Sequence, residues 1–186
     1  GHYSFDLFKR IGPAASDACK SRDLTASGWH ESGGSFDYFK YGAAASRRLI
    51  DELEGDTVLR CCLSNAAKWN MCIVPFGIDN KSFQGGSVAG RSRAPRLNDI
   101  LRGLFTLQIK ENFILDSFWL SSEDNILSDD LSRFRIGAFL ARFSCSPFLG
   151  APVSQIRAVE GAGRTATFDD DQRGTAMHEL RQTLKT

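Results

Sequence analysis

The chain has 186 residues, 42% of them hydrophobic, with a formal net charge of +1, five cysteines and three histidines. That suits one packed domain with a tail, and no stretch approaches the roughly 18 consecutive apolar residues of a membrane-spanning helix, which excludes one. A charge so close to zero says little about a nucleic-acid partner by itself, so the placement of the charges carries more information.

Tyr3 to Leu7 reads as a lead-in or short strand, and Ala14 to Cys19 as the end of the first core strand. Within it Asp17 sits among short side chains (Ala14, Ala15, Ser16, Ala18) that leave room for an ion; a strand-end turn is its other use. Trp29 and Phe36 to Tyr41 supply two further strands around the turn-forming ESGGS at Glu31 to Ser35. Arg47 to Trp69 is the first long helix. On it Ile50, Glu54, Val58 and Cys61 share one stripe, while Glu52, Asp56 and Arg60 fall on the opposite, polar one. Glu54 therefore faces the core, where a lone carboxylate costs on the order of several kcal/mol unless a metal ion or an arginine meets it.

Met71 to Ile78 is the next strand, and Asp79 follows it where a strand feeds a loop, the usual place for site residues in open sheets. An Asx turn with Asn80 competes with that use. Pro95 to Lys110 is a second helix, apolar at Leu97, Ile100, Leu101, Leu104 and Leu107, and weakened by about 1 kcal/mol at Gly103. Asn112 to Arg133 then reads as an aromatic-rich strand (Phe113 to Leu120), a polar turn with several helix caps (Ser121 to Asn125), and a short helix carrying Asp129 and Asp130. Phe134 to Phe148 is apolar enough to pack as an appendage. Gly150 to Arg173 reads as a linker and Gly174 to Leu184 as a short helix.

The adjacent Cys61 and Cys62 lie in a helix, and no CxxC pair or neighbouring histidine supports zinc; buried thiols suit a reducing compartment. His2, His30 and His178 are scattered and support no hydrolase triad. Between residues 81 and 110 the bases Lys81, Arg91, Arg93, Arg96, Arg102 and Lys110 face the single acid Asp99, whereas residues 111 to 130 hold six acids and no base. A basic segment beside an acidic one is what a protein needs to hold a phosphate backbone next to metal-binding carboxylates.

SDAC (Ser16 to Cys19), ASRRLIDELEGDTVL (Ala45 to Leu59), GIDN (Gly77 to Asn80), GRSRAPRLNDILRGLFTLQ (Gly90 to Gln108) and SSEDNILSDDLSR (Ser121 to Arg133) occur in one order. In that order they resemble the ribonuclease H domain of retroelement reverse transcriptases, of the tyrosine-recombinase retrotransposon kind, over Pro13 to Arg133. The resemblance implies an α/β domain at residues 1–133, a ribonuclease H-like mixed five-stranded sheet with flanking helices, and a C-terminal extension at 134–186. It implies endonucleolytic hydrolysis of the RNA strand of an RNA/DNA hybrid, with two Mg²⁺ ions (Mn²⁺ substituting) held by Asp17, Glu54, Asp79 and Asp129. Matching Asn125, Asp129, Ser132 and Arg133 to the family pattern selects Asp129 over Asp130, as the helix stripe selects Glu54 over Glu52. Asn80, Lys81, Arg91, Arg93 and Arg96 are the implied nucleic-acid contacts.

The same resemblance places the chain inside the cell, in cytoplasm or nucleus and away from membranes, behind a polymerase domain of one polyprotein. The opening Gly1 reads as a piece of a longer reading frame. Departures from the family leave other readings open. Leu120 to Asn125 lacks the histidine of cellular ribonucleases H, the run after SDA is the glycine-poor KSRDLTASGWHESGG, and Gly103 follows Arg102 where acids are common. A catalytically silent nucleic-acid-binding or connecting module, or a different nuclease on a related sheet, is the alternative.

Overall fold

The computed structural model describes residues 7–166 and 176–184. Its strands are β1 (Lys9–Arg10), β2 (Ala14–Lys20), β3 (Thr25–Glu31), β4 (Ser35–Tyr41), β5 (Cys72–Ile78), β6 (Ile114–Trp119), β7 (Arg157–Ala158) and β8 (Thr165–Ala166). The helices are α1 (Ile50–Asn65), α2 (Lys81–Ala89), α3 (Pro95–Glu111), α4 (Ile126–Ser132), α5 (Ile136–Phe143) and α6 (Ala176–Thr183).

β2, β3 and β4 form an antiparallel meander. The β2–β3 turn is closed by the Ser21 N–H donating to the Leu24 carbonyl at 2.7 Å. At the β3–β4 turn Gly34 takes φ +97°, a backbone that L side chains rarely adopt, while the Glu31 carboxylate accepts the Gly33 and Ser35 N–H groups. β5 then runs parallel to β2, and β6 parallel to β5, so the main order is β6-β5-β2-β3-β4, a mixed sheet of five long strands. The two-residue β1 continues the β2 edge along β5, and β7 and β8 lie parallel to β4 at the other side.

α1 and α3 cover one face, where Trp29, Phe39, Leu53, Val58, Leu59, Phe76, Leu97, Leu101 and Leu104 share a core. Each such side chain contributes roughly 1.5–3 kcal/mol on burial. The other face carries α4 and α5, with Leu131, Phe139 and Phe143 on Phe36. Contact there is close: a Cβ on Gly28 would sit 2.3 Å from the Leu131 Cβ, so only glycine lets α4 lie directly on β3.

The long helix expected over Arg47 to Trp69 is α1 flanked by 3-10 turns at Ala43–Arg47 and Ala66–Trp69. Its opposite, polar stripe is not solvated: Asp56 and Arg60 are buried, and Glu52 nearly so. The cover comes from α6, whose Ala176 N–H donates to Asp56 at 2.8 Å and whose Glu179 meets Arg60 at 2.8 Å, and from Arg48 and Arg96 over Glu52. α2 was not expected, because Gly85 and Gly86 weaken helix propensity; Asn80 caps it by accepting the Phe83 N–H.

Of the tail, Phe134 to Phe148 contains α5, and the described part of Gly150 to Arg173 carries β7 and β8 along the sheet. Residues 167–175, including Asp169 to Asp171, lie outside the described residues, as does Tyr3 to Asp6 of the expected lead-in. Gly174 to Leu184 contains α6. Among the described residues no helix is long and apolar enough to cross a membrane.

Candidate active site

The sheet itself places two of the acids. β2 and β5 pair at Ala14↔Phe76, Ala15↔Gly77 and Ser16↔Ile78, and the next residue along the chain is in both cases an aspartate, Asp17 within β2 and Asp79 just past the end of β5. Where the pairing ends, α1 presents Glu54, and one oxygen from each of the three carboxylates lies within 4.8 Å of the others. Leu53 and Val58, buried on the same helix, fix its position against the sheet.

Hydrogen bonds orient the acids. The Ala18 N–H donates to Glu54 Oε1 at 3.0 Å, the Ser132 hydroxyl to Asp17, and the Ser122 hydroxyl to Asp79 at 3.3 Å. Asn125 ties the start of α4 to the site by donating to the Ser16 carbonyl at 2.9 Å. Glu54 Oε2 is different. It is buried with no hydrogen-bond partner among the described residues, and no cation pairs with this carboxylate: Arg48 goes to Glu52, and Arg60 to Asp56 and Glu179.

Burial pushes the Asp17 carboxyl up to about 7, with the charges of Asp79 and Asp129 adding to the rise and the Ser132 hydroxyl opposing it. Glu54 is raised well above the usual carboxylate range, first by burial and then by Asp17 and Asp79. Asp79 is also raised, chiefly by burial. Three acids that resist ionising together form a site short of positive charge.

Asp17 and Asp79 line a cleft of about 610 Å³ that also includes Lys20, Leu49, Ser122, Asp129 and Arg133, while Glu54 lies buried behind them, outside its lining. Asp129 stands in this cleft but outside the trio, and its carboxylate is held by Arg133 at 2.5 Å and by Arg135. Asp130, its neighbour, is fully buried between Arg135 (2.7 Å) and Arg142, a structural ion pair closed to the cleft. Glu52 is likewise engaged elsewhere, by Arg48 and Arg96.

The expected nucleic-acid contacts separate into three kinds. Asn80 is committed to the fold, capping α2 and donating to Asp51 at 3.0 Å. Lys81 is exposed beside the site, its ammonium 4.5 Å from the centroid of the Trp119 ring. Arg91, Arg93 and Arg96 are exposed on the α2–α3 connection and the start of α3, outside the carboxylate cleft. Sequence reasoning assigned no role to Ser122, Ser132 or Trp119, the last donating its indole N–H to the Asp79 carbonyl at 3.2 Å. A hydroxyl that bridges elements distant in sequence leaves no local signal.

Among solved structures, the chain is similar to the ribonuclease H1 of the halophilic archaeon Halobacterium salinarum, with a TM-score of 0.55 and 14% identity over 69% of this chain and 98% of that one. No protein-family model matches the chain. Nor does any curated protein. The likeness shows the fold: with its mixed sheet and flanking helices, this chain has the ribonuclease H fold.

Proposed function

We propose that the chain is a ribonuclease H-type endonuclease, hydrolysing the RNA strand of an RNA/DNA hybrid at the cleft above Asp17, Glu54 and Asp79. The observation that carries this reading is the buried Glu54 oxygen without a partner, in a trio of carboxylates that form no ion pair with a described lysine or arginine. An all-oxygen donor set fits a hard divalent ion, Mg²⁺ or Mn²⁺, which such a site binds by its charge. Two such ions, when bound, supply a nucleophilic water at neutral pH and relieve charge on the leaving oxygen.

The protein's own part is positioning. The Ala18 N–H, Ser132 and Ser122 hold the three carboxylates in their orientations. Asp129 is the fourth acid of the proposed set; to hold a metal ion it would give up Arg133 or Arg135. Lys20 and Arg133 in the cleft offer positive charge to the scissile strand, and Arg91, Arg93 and Arg96 to the phosphates of the DNA strand. Contacts to 2′-hydroxyls distinguish RNA from DNA at the cut. The ordered motifs from SDAC to DDLSR support a retroelement origin, an intracellular polyprotein in which a polymerase precedes this domain and residues 134–186 extend it.

The arginine pair on Asp129 favours a second reading, a module of this fold that binds hybrids without cutting them. Labelled RNA/DNA, DNA/DNA and RNA/RNA duplexes incubated with Mg²⁺ or with EDTA separate the two. The nuclease gives internal cuts in the RNA of the hybrid, with Mg²⁺ only. Binding of an intact hybrid identifies the silent module.

A further inference from the structure

Both oxygens of the Asp129 carboxylate are occupied: Arg133 Nε donates to Oδ1 at 2.5 Å, and Arg135 donates to Oδ2. The two arginines are not equivalent. Arg135 also donates to the buried Asp130 at 2.7 Å, and so belongs to the ion pair that joins α4 to Arg142 on α5. Arg133 has Asp129 as its one ion-pair partner among the described residues. Its side chain is 53% exposed, and it lines the cleft close enough to Asp17 to feel that charge.

The backbone that carries Asp129 and Arg133 is fixed beside the site. The Ser132 hydroxyl donates to Asp17, and the Cys19 thiol donates to the Ser132 carbonyl at 3.1 Å. Arg133 ends α4, its N–H donating to the Asp129 carbonyl. The freedom left is in where the guanidinium turns. An arginine fork fits a phosphate as well as it fits a carboxylate, and an ion pair this exposed is cheap to exchange.

We propose that Arg133 is a clamp on Asp129 that the bound strand releases: in the free protein the guanidinium occupies the carboxylate, and a backbone phosphate of the nucleic acid takes the guanidinium and leaves Asp129 Oδ1 to a divalent cation. The exchange uses phosphate alone, which a fully paired duplex presents along its length. Arg133 is thus a positioning residue that acts through Asp129. Nucleic acid and cation then favour each other's binding, beyond what a shared phosphate ligand gives. This inference deepens the proposed function and rests on a nucleic acid and a divalent cation meeting in this cleft.

Four full-length proteins test it: the parent, Arg133→Gln, Asp129→Asn and the double variant, with Asp129→Ser as the second background where Asp129→Asn does not fold. Isothermal titration with Mn²⁺, without nucleic acid, comes first. Arg133→Gln should tighten Mn²⁺ binding, and the gain should be about fivefold larger with Asp129 present than with Asn in its place. Loss of a nearby positive charge would by itself give equal gains in the two backgrounds. The same four proteins are then titrated with an RNA/DNA hybrid in EDTA, where nothing is cut. Here Arg133→Gln should weaken binding, by about fivefold more in the Asn background, because an arginine that has no carboxylate to leave is freer to meet phosphate.

Equal effects in the two backgrounds, in proteins that bind both Mn²⁺ and hybrid, overturn the clamp and leave the nuclease reading standing. The fivefold differences without any cleavage in Mg²⁺ support the clamp and overturn the nuclease reading instead. A folded parent that binds no Mn²⁺ overturns both.

Discussion

Glu54 decides much of the chemistry, because its burial without a cation is unfavourable unless an ion arrives. Glu54→Gln keeps the shape and removes the charge. It should raise the metal-free Tm at pH 8, by on the order of 1–3 kcal/mol of stability, and abolish the stabilisation that Mg²⁺ gives the parent. Thermal melts with Mg²⁺ and with EDTA check both halves. Asp17 gives the pH dependence. Its carboxyl rises from 3.8 to about 7 on folding, so its favourable contribution is complete below about pH 4 and is lost as pH rises through 7. Metal-free protein should therefore melt at lower temperature at pH 8 than at pH 5.5, and Mg²⁺ should offset the fall; equal melts without metal would contradict the assignment. Glu54 was legible from the helical stripe alone, since its register against Ile50 and Val58 survives in the structure. Ser132 was marked only as a matched residue of the DDLSR motif and Ser122 not at all, because their partners Asp17 and Asp79 are fixed by tertiary pairing.

At the scale of elements, the site depends on how closely α4 sits on β3. Gly28→Ala would bring a Cβ against Leu131 and within 2.9 Å of the Ser132 nitrogen, forcing α4 outward. A loss of roughly 1–3 kcal/mol is expected, with cleavage reduced because Ser132 and Asp129 move away from Asp17. Denaturant melts and initial rates measure the two effects; an unchanged stability would show that the helix yields freely. The strands were legible because β5 and β6 are largely apolar runs and β4 alternates aromatic with polar residues beside the turn-forming ESGGS, and α3 because its apolar residues recur at helical spacing. α2 was not, since Gly85 and Gly86 mask a helix held by the Asn80 cap and the buried Phe83. The polar stripe of α1 misled for a related reason: Asp56 and Arg60 look solvated until α6 covers them from more than a hundred residues away.

Over the whole molecule, the C-terminal helix closes the layer that carries Glu54. Leu180 is buried in the main core, and Met177 and Leu180 crowd Gly103 so closely that a Cβ there would meet sulfur at 2.6 Å. Ending the chain at residue 174 would expose that apolar surface and take Glu179 from Arg60 and the Ala176 N–H from Asp56. A Tm lower by several degrees is expected, corresponding to roughly 2–4 kcal/mol, and it should be read by calorimetry with cleavage measured below the new transition. No sequence pattern marked this docking, because the pairing of Arg60 with Glu179 and of α6 with α1 is set by the path of the chain through the tertiary fold. The broader plan was legible: the ordered acids Asp17, Glu54 and Asp79 reach one point because β2 and β5 stop pairing where the aspartates begin.

The most direct measurement compares the parent with Asp79→Asn on a labelled RNA/DNA hybrid, with Mg²⁺, Mn²⁺ or EDTA, circular dichroism confirming that both proteins are folded. Metal-dependent loss of the RNA strand by the parent, reduced at least about a hundredfold in Asp79→Asn, is the expected result. A folded parent that leaves the hybrid intact, or an Asp79→Asn protein that cuts as fast as the parent, would contradict the assignment of this cleft as a nuclease centre.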